Sequence, residues 1–268
     1  MPELRISLDP CNPGQFYACC GLIQLFELKG ARTLSNFEVN WRHPREAEFV
    51  LASKSELGLQ SIAADIRGAN YQPLPRPGPG GKRPDSIAPA QVFIYGKRFT
   101  LDWWLDCFHD KPSSLKCWSG LVTTQKLFSL LPGLVPKDDL SFEYGVLTTT
   151  RFGVDPRSSW VALNLGYSPN EQGQESRTYP AVEMLAAFGL QVFRPAGSRS
   201  TGFNYHLWRS PLPRVAALTA CARPWGGLLS STYRFELGER GSYKYFRFAE
   251  PQTSSREFQY GNRIRGLA

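Results

Sequence analysis

"SLDPCNPGQFYACCGLIQLFELKG", Ser7 to Gly30, decides how this chain is read. Leu4 to Leu8 alternates as a short strand and runs into a turn. Asn12 suits a helix N-cap, and Pro13 suits the first helical position, where its missing N–H costs nothing. Gln15 stands three residues after Asn12, as in a capping box. The pattern predicts a helix from about Pro13 to Leu28, with Phe16, Leu22, Ile23 and Phe26 on an apolar face and Gly30 ending it. The middle of that helix holds Ala18, Cys19, Cys20 and Gly21. A glycine inside a helix costs about 1 kcal/mol relative to alanine. A small-residue surface there implies that a neighbouring helix or a ligand backbone packs very close.

A second helix rhymes with the first. "YPAVEMLAAFGLQVF", Tyr179 to Phe193, shares a leading proline, an alanine three residues before a glycine, then Gly-Leu, a Gln and a Phe. A duplicated strand–helix half explains the rhyme, and so do two unrelated helices that each meet a crowded crossing.

Outward from these helices, Asn36–Trp41 alternates as a strand, and 45–67 reads as a helix interrupted near Gly58. "YQPLPRPGPGGKRPD", Tyr71 to Asp85, reads as a long loop, because prolines and glycines break both regular ladders. Val92–Tyr95 and Phe99–Trp103 form an expected hairpin turning at Gly96-Lys97. A helix is expected over Leu115–Leu130, stopped by Pro132 and Gly133. Ser141–Pro156 and Ser159–Ser168 are strand-like. Then come a helix Pro180–Gln191, an extended stretch 200–213, a short helix from Arg214, and a hairpin within 230–251 turning at Gly238–Gly241. The tail 256–266 is basic and expected to be mobile. The fold class is α+β: mixed short sheets with packed helices, with two lobes expected at 1–170 and 171–268, the second ending in a basic hairpin and tail.

The 268 residues are 42% hydrophobic and 13% aromatic, a globular composition. No apolar run reaches the roughly 20 residues of a membrane span. No basic start followed by an apolar segment marks a signal peptide, so the expected location is the cytoplasm. The six cysteines form no C-x-x-C pair and read as small apolar residues kept reduced.

The net charge of +8 is unevenly placed. Residues 1–193 carry 19 Lys and Arg against 19 Asp and Glu, and residues 194–268 carry 12 against 4. The whole excess therefore lies in the last quarter, and it is nearly all arginine, whose planar fork of donors matches phosphate. Such a segment points to a polyanionic partner, most simply nucleic acid. The candidate phosphate-binding residues are Lys82 and Arg83 in the proline-glycine loop, Arg194, Arg199 and Arg209 around a glycine-bearing loop, Lys244 and Arg247 on the hairpin, and Arg263 and Arg265 in the tail. Phe203, Tyr205 and Trp208 are the candidate stacking platforms for bases.

Catalytic signatures are sparse. Asp102, His109 and Asp110 in "LDWWLDCFHD" define the runner-up function, a metal-dependent nuclease, but a two-metal site needs more imidazole or carboxylate ligands than the three histidines of the chain promise. Cys107, His109 and Cys117 match no common zinc spacing. There is no P-loop. No cofactor and no catalytic residue is expected.

"NPGQFYACCGLIQLFE", "LDWWLD…LKCWSG", "FGVDPRSSWVALNLGYSPNE" and "YPAVEMLAAFGLQVFRP" together resemble the Csb-type subunit of CRISPR type I-U (I-G) systems, a divergent large subunit of the effector complex. The resemblance runs in order from about residue 4 to residue 196. It implies a protein of prokaryotic antiviral defence and does not imply a catalytic residue in this chain, which agrees with the expected non-catalytic, nucleic-acid-binding role. The implied partners are guide RNA, target DNA, other Cas effector subunits and a recruited helicase–nuclease. Guide pairing would read most of the target in such a complex. A free-standing nucleic-acid-binding regulator is the third reading.

Overall fold

The computed structural model describes residues 2–40, 42–54, 58–74, 87–108, 111–119, 122–138, 140–159, 177–223, 230–240 and 243–252. The chain is an α+β protein, with five α-helices and fifteen strands among these residues.

β1 (Glu3–Leu8) leads into α1 (Pro13–Leu28), which returns to β2 (Thr33–Val39). β3 (Ala47–Ser53) then inserts between β1 and β2, antiparallel to both. β1 and β2 are therefore parallel, with β3 between them: a split β-α-β unit. Segment 47–53 is thus a strand and not the first half of a helix. Phe49 and Leu51 alternate onto the apolar side of the sheet, and burial there outweighs the helix propensity of Glu, Ala and Leu. Among the described residues of the stretch read as one helix, the helical part is α2 (Leu59–Gly68).

α1 starts and stops as its sequence dictates. The Asn12 side chain accepts a hydrogen bond from the Gln15 N–H at 3.2 Å. Gly30 sits at φ +94°, and the Ala31 and Gly30 N–H groups donate to the carbonyls of Phe26 (2.9 Å) and Glu27 (3.0 Å), a Schellman ending. α1 does not present one apolar face: every residue from Pro13 to Phe26 is buried. It is a central helix, and such helices are apolar all round.

β4 (Asn70–Pro73), β5 (Ala90–Ile94) and β6 (Lys97–Leu101) form a second, antiparallel sheet. Tyr71 to Pro73, expected in the loop, pair with β5 instead. The rest of that loop, with Lys82 and Arg83, lies outside the described residues. The β5–β6 turn is at Tyr95-Gly96, both with positive φ (54° and 66°), one residue earlier than expected. α3 (Thr124–Leu134) is capped by the Thr123 hydroxyl and holds Pro132 inside its last turn. It starts later than expected because Leu115, Cys117 and Trp118 are buried outside any helix, where Trp118 meets Trp103, Trp104 and Phe152 edge-on. β7 (Val146–Leu147) pairs with β8 (Arg177–Thr178), and a 3-10 turn covers Pro156–Ser158.

α4 (Pro180–Val192) crosses α1. The glycines make this crossing. A Cβ placed on Gly21 would lie 2.7 Å from the carbonyl carbon of Leu185, and one on Gly189 would lie 3.0 Å from that of Tyr17. Each glycine thus faces the residue four before the other glycine, so the contact is reciprocal. The small-residue surface serves a helix crossing.

β9 (Ala196–Ser198), β10 (Gly202–Trp208), β12 (Ser230–Phe235) and β15 (Glu250–Gln252) form a third sheet, in the order β15-β12-β10-β9. β11 (Leu212–Pro213) joins the edge of the first sheet beside β2, and α5 (Arg214–Ala222) follows it. β13 (Leu237–Arg240) and β14 (Tyr243–Phe246) form the hairpin. Gly238, Glu239 and Arg240, expected in the turn, pair with Tyr245, Lys244 and Tyr243 instead.

The expected lobe boundary near residue 170 lies outside the described residues. Side chains from both sides of it enter one apolar cluster. Phe16 of α1 stacks on Tyr205 of β10, with centroids 4.4 Å apart. The Tyr205 hydroxyl donates to the Pro10 carbonyl (2.6 Å), and Trp208 Nε1 donates to the Ser35 carbonyl (2.7 Å).

Candidate nucleic-acid interface

The basic residues of the last quarter do not share one fate. Arg199 lies in the β9–β10 connection, "GSRSTG", Gly197 to Gly202. Both glycines have positive φ, +128° and +74°, and a Cβ on Gly202 would lie 2.7 Å from Arg234 Nε. The tight turn therefore brings its backbone beneath the Arg234 guanidinium. Inside it the Ser198 hydroxyl contacts those of Ser200 (3.0 Å) and Thr201 (2.9 Å).

Two carboxylates collect the arginines. Glu239 of β13 pairs with Arg199. Glu236 lies 3.6 Å from Arg234 and 4.0 Å from Arg247. The three arginine side chains are 55%, 42% and 56% exposed. They form one surface of three guanidiniums against two carboxylates. Lys244 stands opposite Glu239 in the β13–β14 register and is half-buried. Arg234 is a residue the sequence reading passes over, although Thr232, Arg234 and Glu236 alternate with Tyr233 and Phe235, the signature of an outward face.

The other candidates are elsewhere. Arg194 lies 3.6 Å from Asp102. Arg209 is half-buried and donates to the Ser231 hydroxyl at 3.0 Å. Arg263 and Arg265 lie outside the described residues. The stacking platforms are corrected: Phe203, Tyr205 and Trp208 are 3%, 0% and 0% exposed. Their rings pack on Phe235, Phe16 and Phe37, because a strand buried on both faces fills with large aromatics. No base can reach them. Tyr243, at the tip of the β13–β14 hairpin, is 45% exposed.

The runner-up catalytic cluster is only partly described. Asp102 accepts from Gln191 Nε2 (2.9 Å), while the backbone N–H groups of Asp102 and Trp103 donate to Gln191 Oε1 (2.9 and 3.1 Å). This ties the end of β6 to α4. His109 and Asp110 lie outside the described residues. Among the described residues no group of three or more His, Cys, Asp or Glu is placed to hold a metal ion. Five cysteines are buried and Cys107 is exposed. His206 is buried against the Thr232 hydroxyl (2.8 Å), and burial pushes its pKa down to about 4.

A polar node escapes a reading of the sequence. The strap Phe152–Arg157 passes between the N-termini of α1 and α4. The Glu183 carboxylate of α4 is fully buried and accepts from the backbone N–H groups of Phe152 (2.7 Å), Gly153 (3.0 Å) and Asp155 (3.2 Å). Burial, and then the nearby Asp155 charge, push its pKa up to about 7 against those hydrogen bonds. Asp155, also fully buried, accepts from Asn12 Nδ2 (2.9 Å) and from Arg157 Nε (3.1 Å) and Nη2 (2.7 Å). The Arg157 guanidinium lies 3.6 Å from the Tyr179 ring centroid and grips Glu143 with two bonds of 2.8 and 2.9 Å. The available signal is the polar "NP" and "DPR" set beside apolar runs, since buried polar groups come in satisfied sets.

Beside the node a cleft of about 770 Å³ opens between the first sheet and the start of α1. Among the described residues, Asp9, Glu38, Glu46, Glu48 and Glu143 line it against Arg45 and Arg157, an excess of three negative charges. Among the described residues no helix is long and apolar enough to cross a membrane. No protein-family model, no curated protein and no solved structure matches the chain.

Proposed function

We propose that this chain is a non-catalytic, nucleic-acid-binding subunit of a CRISPR type I effector complex. The binding surface in this reading is the β9–β10 turn with Arg199, Arg234 and Arg247. One observation carries it: three exposed guanidiniums share a surface with two carboxylates that, among the described residues, hold them through exposed ion pairs. Such pairs are worth about 0–1 kcal/mol each, so phosphate displaces the carboxylates at little cost. Tyr243 is the exposed aromatic of the adjoining hairpin and takes the stacking role.

The subunit role is supported by the sequence resemblance. "NPGQFYACCG", "FGVDPRSS" and "YPAVEMLAAFGL" are α1, the strap and α4, one packed unit. In this reading the motifs of the resemblance build the scaffold, and the basic surface beside them meets guide RNA or target DNA. No catalytic group is assigned.

The test is a salt titration of affinity for single-stranded and duplex DNA and RNA. The wild type is compared with Arg199→Gln/Arg234→Gln/Arg247→Gln. Removing one guanidinium–phosphate pair lowers the slope of log K against log salt by about 0.7–0.9, so the triple variant has a slope shallower by roughly 2–3 for all sequences alike. Equal slopes would refute the assignment of this surface. Co-purification with Cas subunits and guide RNA tests the complex itself.

A further inference from the structure

We propose that Lys116 and Lys244 form a phosphate-binding site on the inner side of the β13–β14 hairpin. The phosphate belongs to a bound strand or is the free ion. Only the first source rests on the nucleic-acid reading above.

The backbone brings the pair together. The Lys244 N–H donates to the Cys117 carbonyl (2.8 Å), and the Phe246 N–H donates to the Gly153 carbonyl (3.0 Å). β14 is thus fastened both to segment 115–118 and to the strap. Gly153 permits the approach. Its φ is +86°, and a Cβ on it would stand 3.1 Å from the Cys117 Cβ and 3.2 Å from the Lys244 carbonyl oxygen. Alternate side chains of a strand share a side, so Lys244 goes with Phe246. Phe246 is fully buried against Phe235, with ring centroids 4.7 Å apart. Lys244 is therefore turned toward the body of the protein and is half-buried.

Lys116 directly precedes Cys117 and is only 9% exposed. Its ammonium donates to the Trp118 carbonyl (2.6 Å) and lies 4.8 Å from the Trp118 ring centroid. A carbonyl and a ring thus fix the position of Nζ, and neither supplies a negative charge.

The charge balance names the ligand. Among the described residues no ion pair reaches either ammonium. Glu239, opposite Lys244 in the register, pairs with Arg199. Buried charges are as a rule paired or bound to an ion. Here the two charges have one sign. Burial pushes the Lys116 pKa down to about 8, the Cys117 thiol opposes this, and the Lys244 ammonium adds to it. Burial pushes the Cys117 thiol up, and both ammoniums pull it down, so both stand near one buried sulfur. A phosphate group carries about −1.5 to −2 charges near pH 7 and several acceptor oxygens, so one group serves two ammoniums. Lysine binds phosphate as a point charge and needs no fork geometry. Arg247 of the arginine surface follows Lys244 by three residues, at most about 10–11 Å along the chain. A strand held on that surface is therefore within reach of the pair.

The experiment labels the lysines of the wild-type full chain with an amine-acylating ester at pH 8, near the Lys116 pKa, and reads each site by mass spectrometry. Three media of equal ionic strength are compared: chloride, about 10 mM inorganic phosphate, and a saturating mixed-sequence single-stranded DNA with 5′-hydroxyl ends. A dissociation constant of about 5 mM or tighter gives threefold or greater protection in about 10 mM phosphate. Lys116 and Lys244 are expected to be protected at least threefold by phosphate and by DNA. Lys97, exposed on β6, should label alike in chloride and phosphate. Protection by phosphate alone, with DNA bound, supports the site and assigns it to the free ion. Protection by phosphate with no DNA binding at all sinks the nucleic-acid reading and leaves the site standing. Protection by neither phosphate nor DNA overturns the site, and the nucleic-acid reading survives if DNA still binds. Equal protection of Lys97 by phosphate marks a general salt effect and also overturns the site. Lys244→Met, with circular dichroism as the folding control, should halve the protection of Lys116 or reduce it further. Unchanged protection in that folded variant overturns the pairing, and if the variant does not fold the wild-type comparison decides alone.

Discussion

Gly21→Ala puts one methyl group at the α1–α4 crossing, and its effect can be worked from the coordinates. The added Cβ would stand 2.7 Å from the Leu185 carbonyl carbon. Carbon atoms pack at about 3.5–4.0 Å, so the helices must separate by roughly 0.8–1.3 Å. The obstacle is backbone and cannot rotate away. A gap of about 0.5–1 Å forfeits a quarter to a half of the dispersion well, and a buried leucine gains about 0.1–0.2 kcal/mol from each of roughly 40–60 neighbouring atoms. Taking about 50 neighbours at about 0.15 kcal/mol each, a quarter to a half of the dispersion of two leucines is about 4–7 kcal/mol. Alanine returns about 1 kcal/mol of helix propensity. The expected net destabilisation is about 3–6 kcal/mol, which for a chain of this size lowers Tm by roughly 10–20 °C. Gly133 supplies the control. It is exposed in the last turn of α3, and a Cβ there meets nothing within 4 Å. Gly133→Ala should be neutral or stabilising by up to about 1 kcal/mol. Urea unfolding of the wild type and both variants decides. The double variant Gly21→Ala/Gly189→Ala should cost less than the sum of its singles, because both methyl groups force the same separation. A Gly21→Ala protein within about 1 kcal/mol of wild type, or one moving in the same direction as Gly133→Ala, would refute the crowded crossing.

Three further outcomes follow from the node and the core. The Glu183 pKa is raised to about 7 by burial, so the folded state binds this proton more tightly than the unfolded chain. The resulting stability is fully present below about pH 4.5 and is lost as pH rises through 7, by about 3 kcal/mol at most. The difference in unfolding free energy between wild type and Glu183→Gln should therefore change across that window, and a constant difference would count against it. Arg157→Met leaves the fully buried Asp155 carboxylate without its guanidinium and should cost about 3–5 kcal/mol in urea unfolding, where a cost below about 1 kcal/mol would show that Asn12 and the backbone suffice. Tyr205→Phe removes the hydroxyl that donates to Pro10 and should cost about 1–3 kcal/mol while leaving nucleic-acid affinity unchanged, whereas weakened affinity at full stability would restore Tyr205 as a stacking platform.

Local devices are plain in the sequence. Asn12, Pro13 and Gln15 open a helix, Gly30 closes it, and Gly21 with Gly189 marks a close approach. The first four are short-range signals, whereas the two mid-helix glycines say that something packs close without saying whether it is a neighbouring helix or a ligand backbone. The errors come where tertiary burial overrides local preference. Ala47–Ser53 reads as helix by composition, yet the strand is dictated by a gap between β1 and β2 that no local signal contains. The aromatics of β10 recur with period two, so Phe203 and Tyr205 share a face. That spacing speaks for a packed sheet, while the basic residues around it draw them toward a base-stacking role. The strap is legible only as polar residues. Its meaning depends on Glu183, about 30 residues away, and on Asn12, more than 140 away, which no window along the chain connects.

Arginine count alone therefore overstates what this surface offers a polyanion, and the structure sorts the arginines by how much each would give up. Arg157 is locked between Asp155, Glu143 and the Tyr179 ring, and releasing it would strand a buried charge. Arg67 closes the end of α3 by donating to the carbonyls of Gly133 and Val135, each at 2.6 Å. Arg214 is spent on Gln24 at 2.8 Å. Moving any of these toward phosphate costs the fold a hydrogen bond, about 1–3 kcal/mol where the acceptor is left buried. Among the described residues, Arg199, Arg234 and Arg247 pair with exposed carboxylates, which they leave at about 0–1 kcal/mol each. The exchange is favourable for the second group and unfavourable for the first. Binding in the proposed function thus falls to the β9–β10 turn with Arg199 and to Arg234 and Arg247 beside it.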